Sequence, residues 1–180
     1  MTLYAYDTEF LEDGRTIELI SIGIVSETGR QYYAVNADMP IRRIRKHQWL
    51  MDNVVPGLPK PAGDWNNHMP HRWLFDYNNP VVKRRERIAD EVHDFLLAEG
   101  PPSLWGDYVA YDHVVLAQLW GRMIDLPSGL PMFTHDLQQA LERAPEGFEV
   151  PEQATGLHNA LADARHVMRV LRELREVGKP

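Results

Sequence analysis

The sequence has no cysteine, which excludes disulfides, thiolate nucleophiles and cysteine-ligated zinc. No apolar run approaches the ~18 residues that a membrane-spanning helix requires. Met1 to Tyr6 lead straight into Asp7 and Glu9, leaving no room for the apolar segment of a secretion signal. A cytoplasmic protein with no membrane partner is therefore expected. Positive charge is also scarce: 19 Lys and Arg against 26 Asp and Glu leave a net charge of −7. That balance rules out a globally basic coat, so a polyanionic partner must be met by a local basic patch or through bound cations. Internal repeats and low-complexity tracts are absent. What remains is a chain of 180 residues, 44% of them hydrophobic, which is the size of a single domain (1–180) with one sizeable core.

Strand patterns come first. Leu3 to Tyr6 is short and apolar, and Leu19 to Val25 alternates, placing Ile20, Ile22 and Ile24 on one face. A turn at Glu27 to Arg30 then pairs Gln31 to Val35 as a hairpin, giving a three-stranded antiparallel start. Helical patterns follow at Ile41 to Asn53, which carries Arg42, Arg43, Arg45 and Lys46, and at Val82 to Glu99, which begins with Lys83, Arg84, Arg85 and Arg87. Runs of charge like these usually mark a solvated helix face; beside a site they would attract phosphate. Between the two helices lies a long loop at about 54–80, rich in Pro, Asn and Trp and carrying Trp65, His68, His71 and Trp73. Ser103 to Tyr108 reads as a buried strand. Asp112 then caps a helix with Val115, Leu116, Leu119, Trp120 and Met123 inward, and Asp136 with Gln139 has the spacing of a capping box. The last helix runs from about Asn159 to Glu176 with Ala160, Ala164, Val167, Leu171 and Leu174 facing the core. Together these patterns describe an α/β fold with a mixed sheet flanked by helices.

Several acids sit where apolar residues would be expected. Asp7 and Glu9 share the strand parity of Leu3 and Ala5, so both would face a buried layer unless the strand ends at Tyr6 and leaves them solvated. Two carboxylates there would cost several kcal/mol in desolvation and repulsion, a cost that a divalent cation removes. Asp163 lies beside the apolar arc of the last helix, as an edge residue or as a ligand turned into a site. His158 precedes that helix in a turn containing Gly156, a place that suits proton transfer as well as it suits an exposed loop histidine. Capping alone accounts for Asp112, although acids at a helix start after a buried strand are where α/β sites gather ligands.

In order, Asp7-Thr8-Glu9-Phe10, then Tyr111-Asp112 at a mid-chain helix, then His158 and Asp163 entering the last helix, the sequence resembles the DEDDh group of 3′–5′ exonucleases, whose fold is the ribonuclease-H-like α/β layer. More narrowly it is similar to the small actinobacterial exoribonucleases called RNase AS, on Asp7 to Phe10 and on Trp105-Gly106-Asp107-Tyr108-Val109-Ala110-Tyr111-Asp112-His113. Many relatives carry Asn where this chain has Tyr108, which makes Asp107 a competitor of Asp112 for the third acid. The resemblance implies two Mg²⁺ ions (with Mn²⁺ as a substitute) on Asp7, Glu9, Asp112 and Asp163, with His158 as general base. It places Thr8 and Phe10 beside the substrate, the 3′ end of single-stranded RNA, with a preference for adenylate, nucleoside 5′-monophosphate products and a homodimeric enzyme. A DNA exonuclease of proofreading or repair type would use the same acids, and a binding module that kept only the fold would not require them.

Overall fold

The computed structural model describes residues 1–61 and 73–178. Its central strand is β1 (Thr2–Glu12), with β2 (Ile17–Ser26) beside it and β3 (Gln31–Asn36) beyond β2. Two short strands, β4 (Val82–Lys83) and β6 (His135–Asp136), form the edges, and β5 (Pro102–Gly106) lies beside β1. The sheet order is β4-β3-β2-β1-β5-β6. Pairing is antiparallel from β1 through β3 and parallel where β4, β5 and β6 join. This is the expected mixed sheet of a ribonuclease-H-like α/β fold.

Helices cover both faces. Against one face lie α3 (Arg85–Leu97) and α4 (Ala110–Ala117), which bury Ile88, Val92, Leu96, Val115 and Leu116 on Tyr4, Tyr6, Ile22 and Ile24. Against the other lies α6 (Ala160–Val177), which packs Ala164, Val167, Met168 and Leu171 on Leu3, Ala5 and Val25 with help from Leu137 of α5 (Leu137–Leu141). Burying each large apolar side chain of that stripe contributes about 1.5–3 kcal/mol, which is what holds α6 to the sheet. Further along the same face, α1 (Ile41–Ile44) and α2 (Gln48–Asn53) pack Ile44 and Leu50 on Leu11, Ile20 and Val35. Among the described residues no helix is long and apolar enough to cross a membrane.

Several elements differ from the sequence patterns. The 41–53 helix breaks in two, with His47 capping the second piece by accepting from the Leu50 N–H at 3.3 Å. On one continuous helix Ile44 and Leu50 would point ~120° apart; the break lets both reach one cluster. Val82 and Lys83 leave the expected helix to pair with β3. Ile20 does not share a face with Ile22 and Ile24. Consecutive residues Glu9 and Phe10 pair with Ser21 and Leu19, so Ile20 is an extra residue, a β-bulge that turns its side chain to the α1–α2 side. Met123 is 61% exposed because α4 ends at Ala117. In the 54–80 region, Val55–Gly57 form a short 3₁₀ turn and Trp73 is buried in the α1–α2 cluster. Trp65, His68 and His71 lie outside the described residues.

Candidate active site

On the α6 face of β1 the side chains read Leu3, Ala5, Asp7, Glu9 and Leu11. The first two belong to the cluster under α6 and the last to the cluster under α1 and α2, so the acids occupy the seam between two apolar clusters on one sheet face. The strand does not end at Tyr6 but continues to Glu12, which keeps both acids in the sheet. Glu9 is only 8% exposed and Asp7 is half-buried. Across the sheet, Asp7 pairs with Gly23 and Glu9 with Ser21. Gly23 is what admits α6. A Cβ there would stand 2.3 Å from the Leu161 nitrogen and 2.4 Å from the Ala160 carbonyl group, so only glycine lets the helix start touch the strand. Asn159 caps that start by accepting from the Ala162 N–H, and the first turn delivers Asp163. Carboxylate oxygens of Asp7, Glu9 and Asp163 come within 4.8 Å of one another, a spacing that could hold a metal ion.

The electrostatics follow from this crowding. Burial first, and then the Asp112, Glu9 and Asp163 carboxylates, push the Asp7 carboxyl well above the usual carboxylate range. Burial, Asp163 and Asp112 push Glu9 up to about 8. Burial also raises Asp163, against the Gln153 hydrogen bond, the neighbouring His158 and two backbone hydrogen bonds. None of the four acids forms an ion pair with Lys or Arg among the described residues.

Asp112 stands in the first turn of α4 rather than at its N-cap, which is Val109. Its role is therefore not capping. Its Oδ1 accepts from the Thr8 N–H at 2.8 Å and from the Thr8 hydroxyl at 2.6 Å, which fixes the carboxylate beside Asp7. Burial raises Asp112 to about 6 despite those bonds. Thr8, expected beside the substrate, is buried with both donors committed to Asp112. Asp107, the competing acid, accepts from Gln138 at 2.7 Å. Asp136 is a cap as expected, but it accepts from the Gln138 N–H, and its other oxygen takes the Val109 N–H at the start of α4. Phe10 stacks on Tyr111, with ring planes 12° apart and centroids at 6.1 Å.

Two residues with left-handed backbone precede the site helices: Tyr108 (φ 47°) before α4 and His158 (φ 61°) before α6. Such conformations cost of order 1–3 kcal/mol and gather at functional sites. His158 lies close to Asp163, and the edge of the Trp49 ring packs on it at 4.8 Å between centroids. Trp49 comes from α2; the Arg42–Lys46 run lies just before it, on α1 and the turn that follows. Both runs are partly spent internally: Arg43 on Asp13 and Glu18, Arg45 on the Trp73 carbonyl, Arg84 on Asp38, Lys83 and Arg87 on Glu91, and Arg85 on the Gln118 carbonyl. Sequence reasoning missed Trp49, Gln153, which donates to Asp163 at 2.6 Å, and the cross-strand residues Ser21 and Tyr33. Only Ser21 left a signal, a polar side chain in a strand that is apolar on both sides of it.

A mixed sheet whose central strand and two helix starts gather acidic side chains is the architecture of the ribonuclease-H-like nucleases. No protein-family model matches the chain. It is 41% identical over 173 residues to the 3′–5′ exoribonuclease Rv2179c of Mycobacterium tuberculosis strain H37Rv, spanning 94% of this chain and 90% of that protein. The same figures hold for the 3′–5′ exoribonuclease MT2234.1 of strain CDC 1551. The chain belongs to this family of 3′–5′ exoribonucleases, and it is an enzyme.

Proposed function

We propose that the protein hydrolyses RNA from its 3′ end and releases nucleoside 5′-monophosphates, using two Mg²⁺ ions (or Mn²⁺) held by Asp7, Glu9, Asp112 and Asp163. The observation that supports this most is the convergence of three carboxylates within 4.8 Å at the seam of two apolar clusters. The residues fit such ions: the donors are hard oxygens and, among the described residues, their charge lacks a Lys or Arg partner and the Ser21 hydroxyl is buried beside them without a hydrogen bond. Divalent cations so held supply charge neutralisation at the phosphoryl oxygens and a more acidic attacking water.

The chain's own residues do the rest. His158 accepts the proton of the attacking water, with Asp163 close by and Trp49 packed on its ring. Thr8 holds the Asp112 carboxylate in place through two hydrogen bonds. Phe10, braced by Tyr111, lies against the terminal nucleotide, where stacking contributes about 1–3 kcal/mol without demanding a particular base. Arg42 and Lys46 give an otherwise acidic protein the local attraction for phosphate that it lacks elsewhere. A preference for adenylate, assembly as a homodimer and a cytoplasmic location follow from the resemblance and complete the proposal.

End-labelled RNA and DNA oligomers of the same sequence, each with a free or blocked 3′ end, provide the test. Stepwise loss of mononucleotides from free-ended RNA, with Mg²⁺ or Mn²⁺ and not with EDTA, is the expected result. Equal degradation of blocked ends contradicts exonucleolytic action, and faster degradation of DNA moves the activity to the repair or proofreading type.

A further inference from the structure

Beside the acids lie two buried hydroxyls that the proposed chemistry does not use. Ser21 pairs with Glu9 across β1 and β2, and Tyr33 stands opposite Gly23, the partner of Asp7. Ser21, Glu9, Gly23 and Asp7 thus form a patch two strands wide, with Tyr33 bordering it from the third. Ser21 is 1% exposed. Among the described residues neither the Ser21 hydroxyl nor the Tyr33 phenol meets a partner at hydrogen-bond geometry, although both atoms are buried. The Ser21 and Asn159 side chains stand beside the phenol without reaching full hydrogen-bond geometry; burial raises its pKa, these two neighbours lower it, and Glu9 raises it. Buried hydroxyls without partners are uncommon, because each forfeits its hydrogen bonds to water. A pair of them bordering an acid cluster is a donor set not yet engaged.

We propose that Ser21 and Tyr33 are positioning residues that hydrogen-bond to the Glu9 carboxylate once a divalent cation binds the acid cluster, and so fix the oxygen that faces the cation. The inference rests on the metal-site reading above and assigns to it a supporting layer. Such outer partners orient ligating carboxylates and typically contribute 10–100-fold to metal affinity or turnover. In the metal-free protein these hydroxyls lack well-formed bonds, so removing one should cost the fold little.

Tyr33→Phe and Ser21→Ala in the full chain test this, with Mn²⁺ as the probe. Three quantities are read: melting temperature in EDTA, Mn²⁺ affinity by calorimetry, and kcat and KM on an RNA oligomer. In both variants the melting temperature in EDTA should be unchanged or higher. Mn²⁺ affinity or kcat should fall by about 10–100-fold, with KM for RNA little changed. Wild-type Mn²⁺ affinity and kcat in Tyr33→Phe overturn the inference alone, and so does a metal-free melting temperature lowered by several degrees, which would show that the phenol supports the fold. If wild type itself binds no Mn²⁺, the metal-site reading fails and takes this inference with it.

Discussion

Asp112 and His158 are the residues at which a structural and a chemical role can be separated most cleanly. Asp112 accepts two hydrogen bonds from Thr8 on one oxygen, and an asparagine carbonyl at that position could accept the same two. Asp112→Asn should therefore fold normally and melt no lower than wild type without metal, since a like charge beside Asp7 has gone. Its turnover should drop at least ~100-fold, the equivalent of about 3 kcal/mol of transition-state charge stabilisation. Single-turnover rates would check this, and a dead Asp107→Asn beside an active Asp112→Asn would transfer the role to Asp107. His158→Ala should slow the reaction by about 10²–10⁴-fold, the usual worth of a positioned base, while keeping the rise in melting temperature that Mg²⁺ brings. Near-wild-type turnover in that variant would remove the histidine from the chemistry.

Elements bring these residues together, and one position sets how closely. Gly23 lets the start of α6 rest on β2, and Gly23→Ala puts a Cβ 2.3 Å from the Leu161 nitrogen. A helix backbone cannot yield as a side chain does, so the helix start must move and carry Asp163 away from Asp7 and Glu9. An overpacking cost of about 1–3 kcal/mol corresponds to a melting temperature lower by roughly 3–10 °C, and Mg²⁺ should stabilise the variant less than it stabilises wild type. Thermal melts with and without Mg²⁺ measure both effects. Much of this level was legible in the sequence. The parity of Asp7 and Glu9 with Leu3 and Ala5 pointed to the buried face, and the apolar arc of α6 placed Asp163 at its margin. The bulge at Ile20 was not legible, because alternation counts residues and cannot see one added in a strand. Nor was the contact of Trp49 with His158: it joins a helix to a turn far away in sequence, and the residues around Trp49 signalled charge alone. Asp112 looked like a cap because Asp is a common N-cap; its bonds to Thr8 come from a distant strand.

At the scale of the molecule, the fold stores unfavourable charge at one seam of an otherwise well-packed sheet. Glu9 is raised to about 8 and Asp112 to about 6, both above their unfolded values. A carboxyl raised on folding adds stability below its unfolded pKa and loses it as pH climbs through the folded value. The metal-free protein should therefore melt at progressively lower temperature from about pH 5 to about pH 8.5. With Mg²⁺ present the decline should flatten, because protons compete less for the ligands as pH rises. Melting curves across that range, in EDTA and in Mg²⁺, would show whether the two series diverge. The most direct measurement of all is calorimetric titration of Mn²⁺ into the EDTA-stripped protein near neutral pH, with Asp7→Ala alongside. Saturable binding of two ions per chain, lost or severely weakened in the variant, is the predicted result; no saturable binding at millimolar Mn²⁺, or binding that Asp7→Ala leaves untouched, would contradict a metal-dependent nuclease centred on these acids.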